Sequence, residues 1–193
     1  ALVLVLIMAL GLAACAAPAA PAEEPTPAAE PETEKVDSQA ILAELKTPAE
    51  ESNWERTTSS QEVIDFLKVV AEHSAGRIIL DTTTFATEAA TPIPYMIISD
   101  VAPASPADVP EDKGVVYVNC NIHSGEIEGK ESMMIFAREV AQGKHDDLLK
   151  DLVVIIVPNS NPDGNDNLGK NRITTQFTPK LVGTRAEGNG LNV

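Results

Sequence analysis

The chain has 193 residues, enough for one domain of ordinary size with its own hydrophobic core. Its formal net charge is −15, and the first 60 residues alone carry ten acidic side chains against three basic ones. A protein that binds nucleic acid needs a basic surface for the phosphates, so this composition argues against nucleic acid as a partner.

The N-terminal segment is apolar and ends at a cysteine. Residues 1–14 carry no charge, and they are too few for a membrane-spanning helix, which needs about 20 residues. They fit the apolar region of a secretory signal. The stretch LAAC at 12–15 resembles a bacterial lipoprotein cleavage box, which implies a signal peptide over 1–14 and a lipid on Cys15. The alternative interpretation is a piece of buried helix with an incidental cysteine.

These features predict an exported lipoprotein, anchored to a membrane at the bacterial cell surface or in the periplasm. The signal has neither an initiating methionine nor a basic segment before it, so we expect it to be incomplete at its start. Residues 15–50 are predicted to be a tether. Within them, 16–36 consist almost wholly of Ala, Pro, Glu and Thr, which bury too little surface to offset the entropy of ordering. SQAILAELK at 38–46 is compatible with one short helix before the domain, which is predicted to occupy 51–193.

The domain is predicted to begin with a helix and two strands. Ser59 and Glu62 have the spacing of a capping box, and the residues after Ser59 place apolar side chains on one helical stripe. GRIILDTTTF at 76–85 and PIPYMIISD at 92–100 are rich in β-branched residues and bounded by turn formers, which is typical of strands.

A strand–helix–strand unit follows. GVVYVNC at 114–120 and DLVVIIVP at 151–158 are continuous apolar runs, typical of strands buried on both faces. Apolar residues at helical spacing over 128–143 connect them, and such a crossover makes the two strands parallel. The predicted fold is therefore α/β, with a mixed, largely parallel sheet flanked by helices. Loops at the carboxyl ends of these strands should face one cleft.

Two polar loops follow the carboxyl ends of these strands. The first contains His123 and Glu126, and an imidazole and a carboxylate three residues apart can bind one zinc ion. A catalytic zinc needs three protein ligands and an open position for water. With three histidines and many glutamates in the chain, the pair alone is a weak signal. The second loop contains NPDG at 161–164, which has the composition of a tight turn and is interpreted as scaffolding of the cleft wall.

Three further side chains are candidate ligands with ordinary explanations. His73 and His145 follow no predicted sheet strand, and His73 fits a surface position at the C-terminus of a helix. Cys120 ends an apolar strand, where a buried, reduced thiol is the expected state.

Several blocks of sequence occur in the order found in the zinc carboxypeptidases, the carboxypeptidase A-like metallopeptidases, and the chain resembles that family from about Trp54 to Val193. The blocks are NIHSGEIEGKES at 121–132, VPNSNPDGNDN at 157–167, NR at 171–172 and GTRAEGNGLN at 183–192.

The resemblance implies a function and a set of site residues. It implies zinc-dependent hydrolysis of peptide bonds, with zinc bound by His123 and Glu126. Asn192 matches the asparagine that binds the terminal carboxylate of the substrate. Either Arg185 or Arg172 would polarise the scissile carbonyl and stabilise the oxyanion, a role that suits the fixed charge and forked donors of arginine.

Two departures from the family leave alternatives open. Gly125 stands where the digestive enzymes carry an arginine, so a zinc amidohydrolase or deacylase acting on small N-acyl amino acids remains possible. In the family, the third zinc ligand, a histidine, and the general-base glutamate lie downstream of the asparagine block. We therefore expect them beyond Val193, and expect 51–193 to be the N-terminal part of a catalytic domain that is inactive by itself. A non-catalytic surface lipoprotein that binds peptides is the third hypothesis.

Overall fold

The computed structural model describes residues 37–100, 103 and 106–191. In these residues the helices are α1 (Ser38–Glu44), α2 (Pro48–Glu51), α3 (Ser60–Glu72), α4 (Glu128–Ala141), α5 (Asp146–Leu149) and α6 (Pro162–Asp166), with a 3₁₀ turn at Pro106–Asp108. The strands are β1 (Ile78–Asp81), β2 (Tyr95–Ile98), β3 (Gly114–Asn119), β4 (Leu152–Val157), β5 (Leu168–Lys170) and β6 (Leu181–Gly183). None of the described helices is both long and apolar enough to cross a membrane.

Four strands form the main sheet in the order β1-β2-β4-β3. β3 and β4 are parallel, while β1–β2 and β2–β4 are antiparallel. The mixed α/β fold is confirmed, but within the described strands the prediction of a largely parallel sheet is wrong. A helical crossover separates β3 from β4, whereas the connection from β1 to β2 contains no helix and returns the chain antiparallel.

The predicted helices α3 and α4 form where local signals place them. Ser59 caps α3: its hydroxyl accepts from the Glu62 amide, and the Glu62 carboxylate accepts from the Ser59 amide at 2.9 Å. Beyond the end of α4, Gly143 adopts a φ of 79° and donates its amide to the carbonyl of Val140. The two helices pack together and α3 also contacts β1, so their apolar stripes form one core with the sheet. The core contains Leu42, Val63, Phe66, Leu67, Val70, Ile78, Met96, Ile98, Met134, Ala137, Val140, Ala141, Leu149, Val154 and Ile156.

The folded domain begins before the predicted boundary at residue 51. Leu42 of α1 is fully buried in the core, and Glu50 of α2 accepts two bonds from the Arg138 guanidinium, at 2.7 and 2.9 Å. Residues 38–50, which the sequence assigned to the tether, therefore pack against α4. The predicted signal at 1–14, the lipidation site Cys15 and the first part of the tether lie outside the described residues.

Strand β3 is more exposed than its composition predicts. It lies at an edge of the described sheet, and Val115, Val116 and Tyr117 are 56%, 39% and 62% exposed. The prediction that this strand is buried on both faces is wrong for the described chain, whereas Val153, Val154 and Ile156 of β4 are buried as predicted. The two strands differ in exposure because β4 lies between two strands, whereas β3 has one described neighbour.

Candidate metal centre and active site

His123 and Glu126 lie in a short turn after the carboxyl end of β3. The Glu126 amide donates to the His123 carbonyl at 2.8 Å, which closes the turn and brings both side chains to one side. Nδ1 of His123 and Oε1 of Glu126 are 3.1 Å apart. Two donors at this separation can both lie about 2.0–2.2 Å from a single zinc ion, so the pair fits zinc in chemistry and in spacing.

The described residues supply two ligands rather than a complete site. In the ranges 37–100 and 106–191, no three His, Cys, Asp or Glu side chains converge in a way that could hold a metal ion. The side chains of His123 and Glu126 are 22% and 57% exposed, so the pair is accessible to solvent.

The two predicted arginines lie at the same cavity as the ligand pair. The cavity has a volume of about 480 Å³, and its lining includes His123, Glu126, Arg172 and Arg185. The Arg185 Nη1 atom lies 3.8 Å from Oε1 of Glu126. Both arginines therefore line the cavity that contains His123 and Glu126. Asn192, the predicted carboxylate-binding residue, lies outside the described residues.

A small hairpin that the sequence did not predict forms one wall of this cavity. β5 and β6 pair antiparallel, with Gly169 opposite Val182, and β6 leads directly to Arg185. Each strand has only three residues, too few for a periodic pattern to be recognised in the sequence. The hairpin thus carries one candidate arginine to the metal ligands, while Arg172 follows β5.

The hairpin also explains the absence of a side chain at Gly125. A Cβ atom there would lie 3.2 Å from the Gly183 carbonyl oxygen and 3.6 Å from Cγ2 of Val182. The first distance is tighter than ordinary van der Waals contact, so a larger residue would require the hairpin to shift. This chain therefore has a neutral wall at the position where the digestive enzymes carry an arginine.

The NPDG motif forms the start of a helix instead of the predicted tight turn. Asn161 is the N-cap of α6, Pro162 takes the first helical position, and the Asn161 side chain accepts from the Gly164 amide at 2.9 Å. Asp163 accepts a hydrogen bond from the Thr91 hydroxyl and lines a different cavity from the one that contains His123 and Glu126. The interpretation of this motif as scaffolding stands, with a helix cap in place of a turn.

A buried ionic network at the start of α4 was not predicted from the sequence. The Lys130 ammonium is fully buried and donates to Oγ1 of Thr57, the carbonyl of Thr58 and Oδ1 of Asn165, at 2.8, 2.5 and 2.6 Å. Burial lowers the pKa of Lys130 to about 8. Glu131 accepts three further bonds from Thr57 and Thr58. This network joins the first turn of α4, where charged residues are expected to face water, to the segment before α3 and to α6.

The remaining histidines and the cysteine do not join the metal ligands. His73 ends α3 and its Nδ1 lies 3.0 Å from the Ser38 hydroxyl, as expected for a helix C-terminus. His145 lies before the amino end of β4, whereas the His123 loop follows the carboxyl end of the parallel strand β3, and its Nε2 is 3.1 Å from Glu139. Cys120 is a buried free thiol, as predicted, and burial raises its pKa.

Comparison with known proteins places the chain in one family. A model of the zinc carboxypeptidases matches residues 66–182, more than half of the chain, and the protein belongs to this family. These are zinc-dependent peptidases, so the family itself implies hydrolase chemistry and a zinc cofactor. No curated protein matches the sequence.

Several solved structures are similar to this chain at low sequence identity. Thrombin-activatable fibrinolysis inhibitor is 20% identical with a TM-score of 0.51, over 76% of this chain and 37% of that one. Carboxypeptidase A from Helicoverpa armigera is 20% identical with a TM-score of 0.48, over 65% and 29%. A metallo-carboxypeptidase from Burkholderia cenocepacia is 18% identical with a TM-score of 0.49, over 70% and 32%. At these identities the first comparison supports the fold alone, and the chain spans about a third of the length of these structures.

Proposed function

We propose that this chain is the N-terminal part of a zinc carboxypeptidase that hydrolyses peptide bonds. The observation that carries the proposal is the pair of donors on His123 and Glu126, 3.1 Å apart, in one cavity with two arginines. Family membership gives the pair its expected chemistry. Because a catalytic zinc takes three protein ligands, the third ligand and the general base would come from outside the described residues.

Each of these residues is assigned a separate role in the proposed reaction. His123 and Glu126 would hold zinc, which when bound lowers the pKa of a water molecule and polarises the scissile carbonyl. Arg185, 3.8 Å from Glu126, can orient that carboxylate. Arg185 or Arg172 would supply positive charge where the oxyanion develops, through the forked donors of its guanidinium. Asn192 is proposed to bind the terminal carboxylate of the peptide.

The zinc proposal is tested by replacing one ligand in the full-length protein. His123→Ala should abolish stoichiometric zinc binding, measured by metal analysis after dialysis, and should reduce hydrolysis of a peptide substrate to background. His145→Gln is the matched control, because this histidine precedes the amino end of β4 while the His123 loop follows the carboxyl end of the parallel strand β3, and it should retain both properties. Full activity in His123→Ala, or no zinc in the wild-type protein, would contradict the proposal.

A second candidate function is hydrolysis of small N-acyl amino acids. Gly125 favours it, because the cavity has no positive charge at this position and the Gly183 carbonyl lies where a side chain would begin. The two functions are separated by comparing the full-length protein on peptides and on N-acyl amino acids. Activity on the acylated amino acids with none on peptides would decide for the second function.

We also propose that the protein is exported and held at a membrane by a lipid on Cys15. The LAAC stretch at 12–15 and the acidic, proline-rich segment after it support this proposal. Labelled fatty acid should be incorporated into the protein expressed in a bacterium, and Cys15→Ser should abolish incorporation and release the protein from the membrane fraction. Equal labelling of the two forms would contradict it.

A further inference from the structure

We propose that Asn161 is a positioning residue that fixes the metal-ligand loop and the Arg185 segment relative to each other. The inference rests on the proposed function, because it concerns the zinc ligand His123. Asn161 is almost fully buried, and the only role described for it so far is as the N-cap of α6. Its hydrogen bonds extend well beyond that cap.

Asn161 is bonded to the residues on both sides of His123. Its Nδ2 donates to the carbonyl of Ile122 at 3.2 Å. The main-chain carbonyl of Asn161 accepts a hydrogen bond from the fully buried hydroxyl of Ser124 at 2.7 Å. Residues 122 and 124, on either side of His123, are therefore both hydrogen-bonded to Asn161. These two bonds fix the backbone position from which the imidazole projects.

The same side chain also holds the segment that carries the candidate arginine. Nδ2 of Asn161 donates to the carbonyl of Arg185 at 3.3 Å, while Oδ1 accepts from the Gly164 amide at 2.9 Å. A primary amide offers two donors and an acceptor on one planar group, and all of them are engaged here. One residue thus links the start of α6, the His123 loop and the segment after β6.

The backbone around Asn161 leaves no space for this arrangement to relax. A Cβ atom on Gly164 would lie 2.6 Å from the Ala186 carbonyl and 2.8 Å from that of Thr184. The Thr184 amide donates to the Gly164 carbonyl at 2.8 Å. Because these segments are in direct backbone contact, loss of the amide would move the loop or the arginine segment rather than admit a bridging water.

Helix capping alone does not account for an asparagine here. The cap needs only an oxygen that accepts from the first turn, and aspartate, serine and threonine supply one as well. The two bonds donated by Nδ2 reach only the His123 loop and the Arg185 segment. Asn161→Asp therefore separates the two roles, since it keeps the capping oxygen and removes both donors.

The experiment uses the full-length protein with Zn²⁺ and Co²⁺ as probes. We expect Asn161→Asp to weaken zinc binding about 10–100-fold in a chelator competition, the range typical for residues that orient a metal ligand. The visible absorption of the cobalt-substituted protein, which reports ligand geometry, should also change. Circular dichroism should show a folded protein, because the cap of α6 remains.

Asn171→Asp is the matched control for zinc affinity. Asn171 has the same bonding pattern, with Nδ2 donating to the carbonyls of Gln176 and Pro179 at 3.1 and 3.0 Å, and Oδ1 accepting from the Ile173 amide at 2.9 Å. Its acceptors lie in its own loop, so its substitution should leave the zinc affinity and the cobalt spectrum unchanged.

The possible results distinguish failure of this inference from failure of the proposed function. A folded Asn161→Asp protein with wild-type zinc affinity and cobalt spectrum overturns the inference, while a wild-type protein that binds no zinc overturns the proposed function instead. Equal losses in Asn161→Asp and Asn171→Asp would also overturn the inference, because they would indicate a general effect on stability. If Asn161→Asp does not fold because its carboxylate is buried against two carbonyl oxygens, Asn161→Ser keeps an uncharged capping oxygen and also removes both donors, and an unchanged zinc affinity in that variant overturns the inference.

Discussion

Lys130 shows how much a single buried charge can contribute to this fold. Its ammonium makes three hydrogen bonds in a fully buried position, and Oε1 of Glu131 lies 3.5 Å away. Removal of one partner from a buried ionic network leaves the other uncompensated, which costs about 3–5 kcal/mol. Nothing in the sequence marks this lysine, because the first turn of a surface helix is an ordinary place for charge.

Lys130→Met should therefore lower the free energy of unfolding of the full-length protein by about 3–5 kcal/mol. The measurement is urea denaturation at neutral pH. Lys144→Met, at an exposed position paired with Glu139, should change stability by no more than about 0.5 kcal/mol. Similar values for the two variants would show that the buried network does not contribute as described.

The lowered pKa of Glu62 predicts that this carboxyl contributes to the loss of folding stability in acid. The hydrogen bond from Arg56 lowers the pKa of Glu62 to about 2 from its ordinary value of 4.5. A carboxyl group whose pKa is depressed by folding stabilises the protein above its ordinary pKa, and this contribution is lost as the pH falls from about 4.5 to about 2. Glu62→Gln should remove that part of the dependence.

The test compares the free energy of unfolding between pH 7 and pH 2 for wild type and variant. The difference between them should be largest at neutral pH and should shrink below about pH 4.5. Glu72→Gln, an exposed position at the other end of α3, is the control. A constant difference across the pH range would assign the effect of Glu62→Gln to the helix cap alone.

At the scale of elements, the long periodic segments were predictable and the short ones were not. α3, α4, β1, β2 and β4 formed where local periodicity and caps placed them, because their apolar residues can all face one core. α6 and the β5–β6 hairpin are short and depend on contacts with distant segments. These unpredicted elements are the ones that bring both candidate arginines to the ligand pair.

Close packing at the start of α6 predicts an unusual sensitivity at one glycine. Gly164→Ala would place a Cβ atom within 2.8 Å of two carbonyl oxygens, and overpacking of this kind costs about 1–3 kcal/mol. In Gly169→Ala the nearest atom, Cγ2 of Thr184, would be 3.8 Å away, an ordinary contact. Thermal denaturation of both variants should show a clear loss for Gly164→Ala and little change for Gly169→Ala.

At the scale of the whole molecule, β3 is the feature that predicts behaviour in solution. An edge strand with exposed apolar side chains on both faces is a template for pairing with another chain. A protein that consists of these 193 residues should therefore self-associate at high concentration, as measured by light scattering. Tyr117→Lys should reduce the association, because edge lysines oppose pairing, whereas Phe177→Lys, at an exposed site outside the strands, should not.

The sequence by itself determined the family, the mixed α/β class and the principal helices and strands, because periodicity, capping and ordered motifs are local properties of the chain. It also identified His123, Glu126, Arg172 and Arg185, which lie at one cavity. The tertiary structure alone decided that β3 is an edge strand, that 38–50 belong to the domain, and that Lys130 is buried. Each of these depends on which distant segments meet, and Asn161 illustrates it: its partners lie 39 and 24 residues away in the chain.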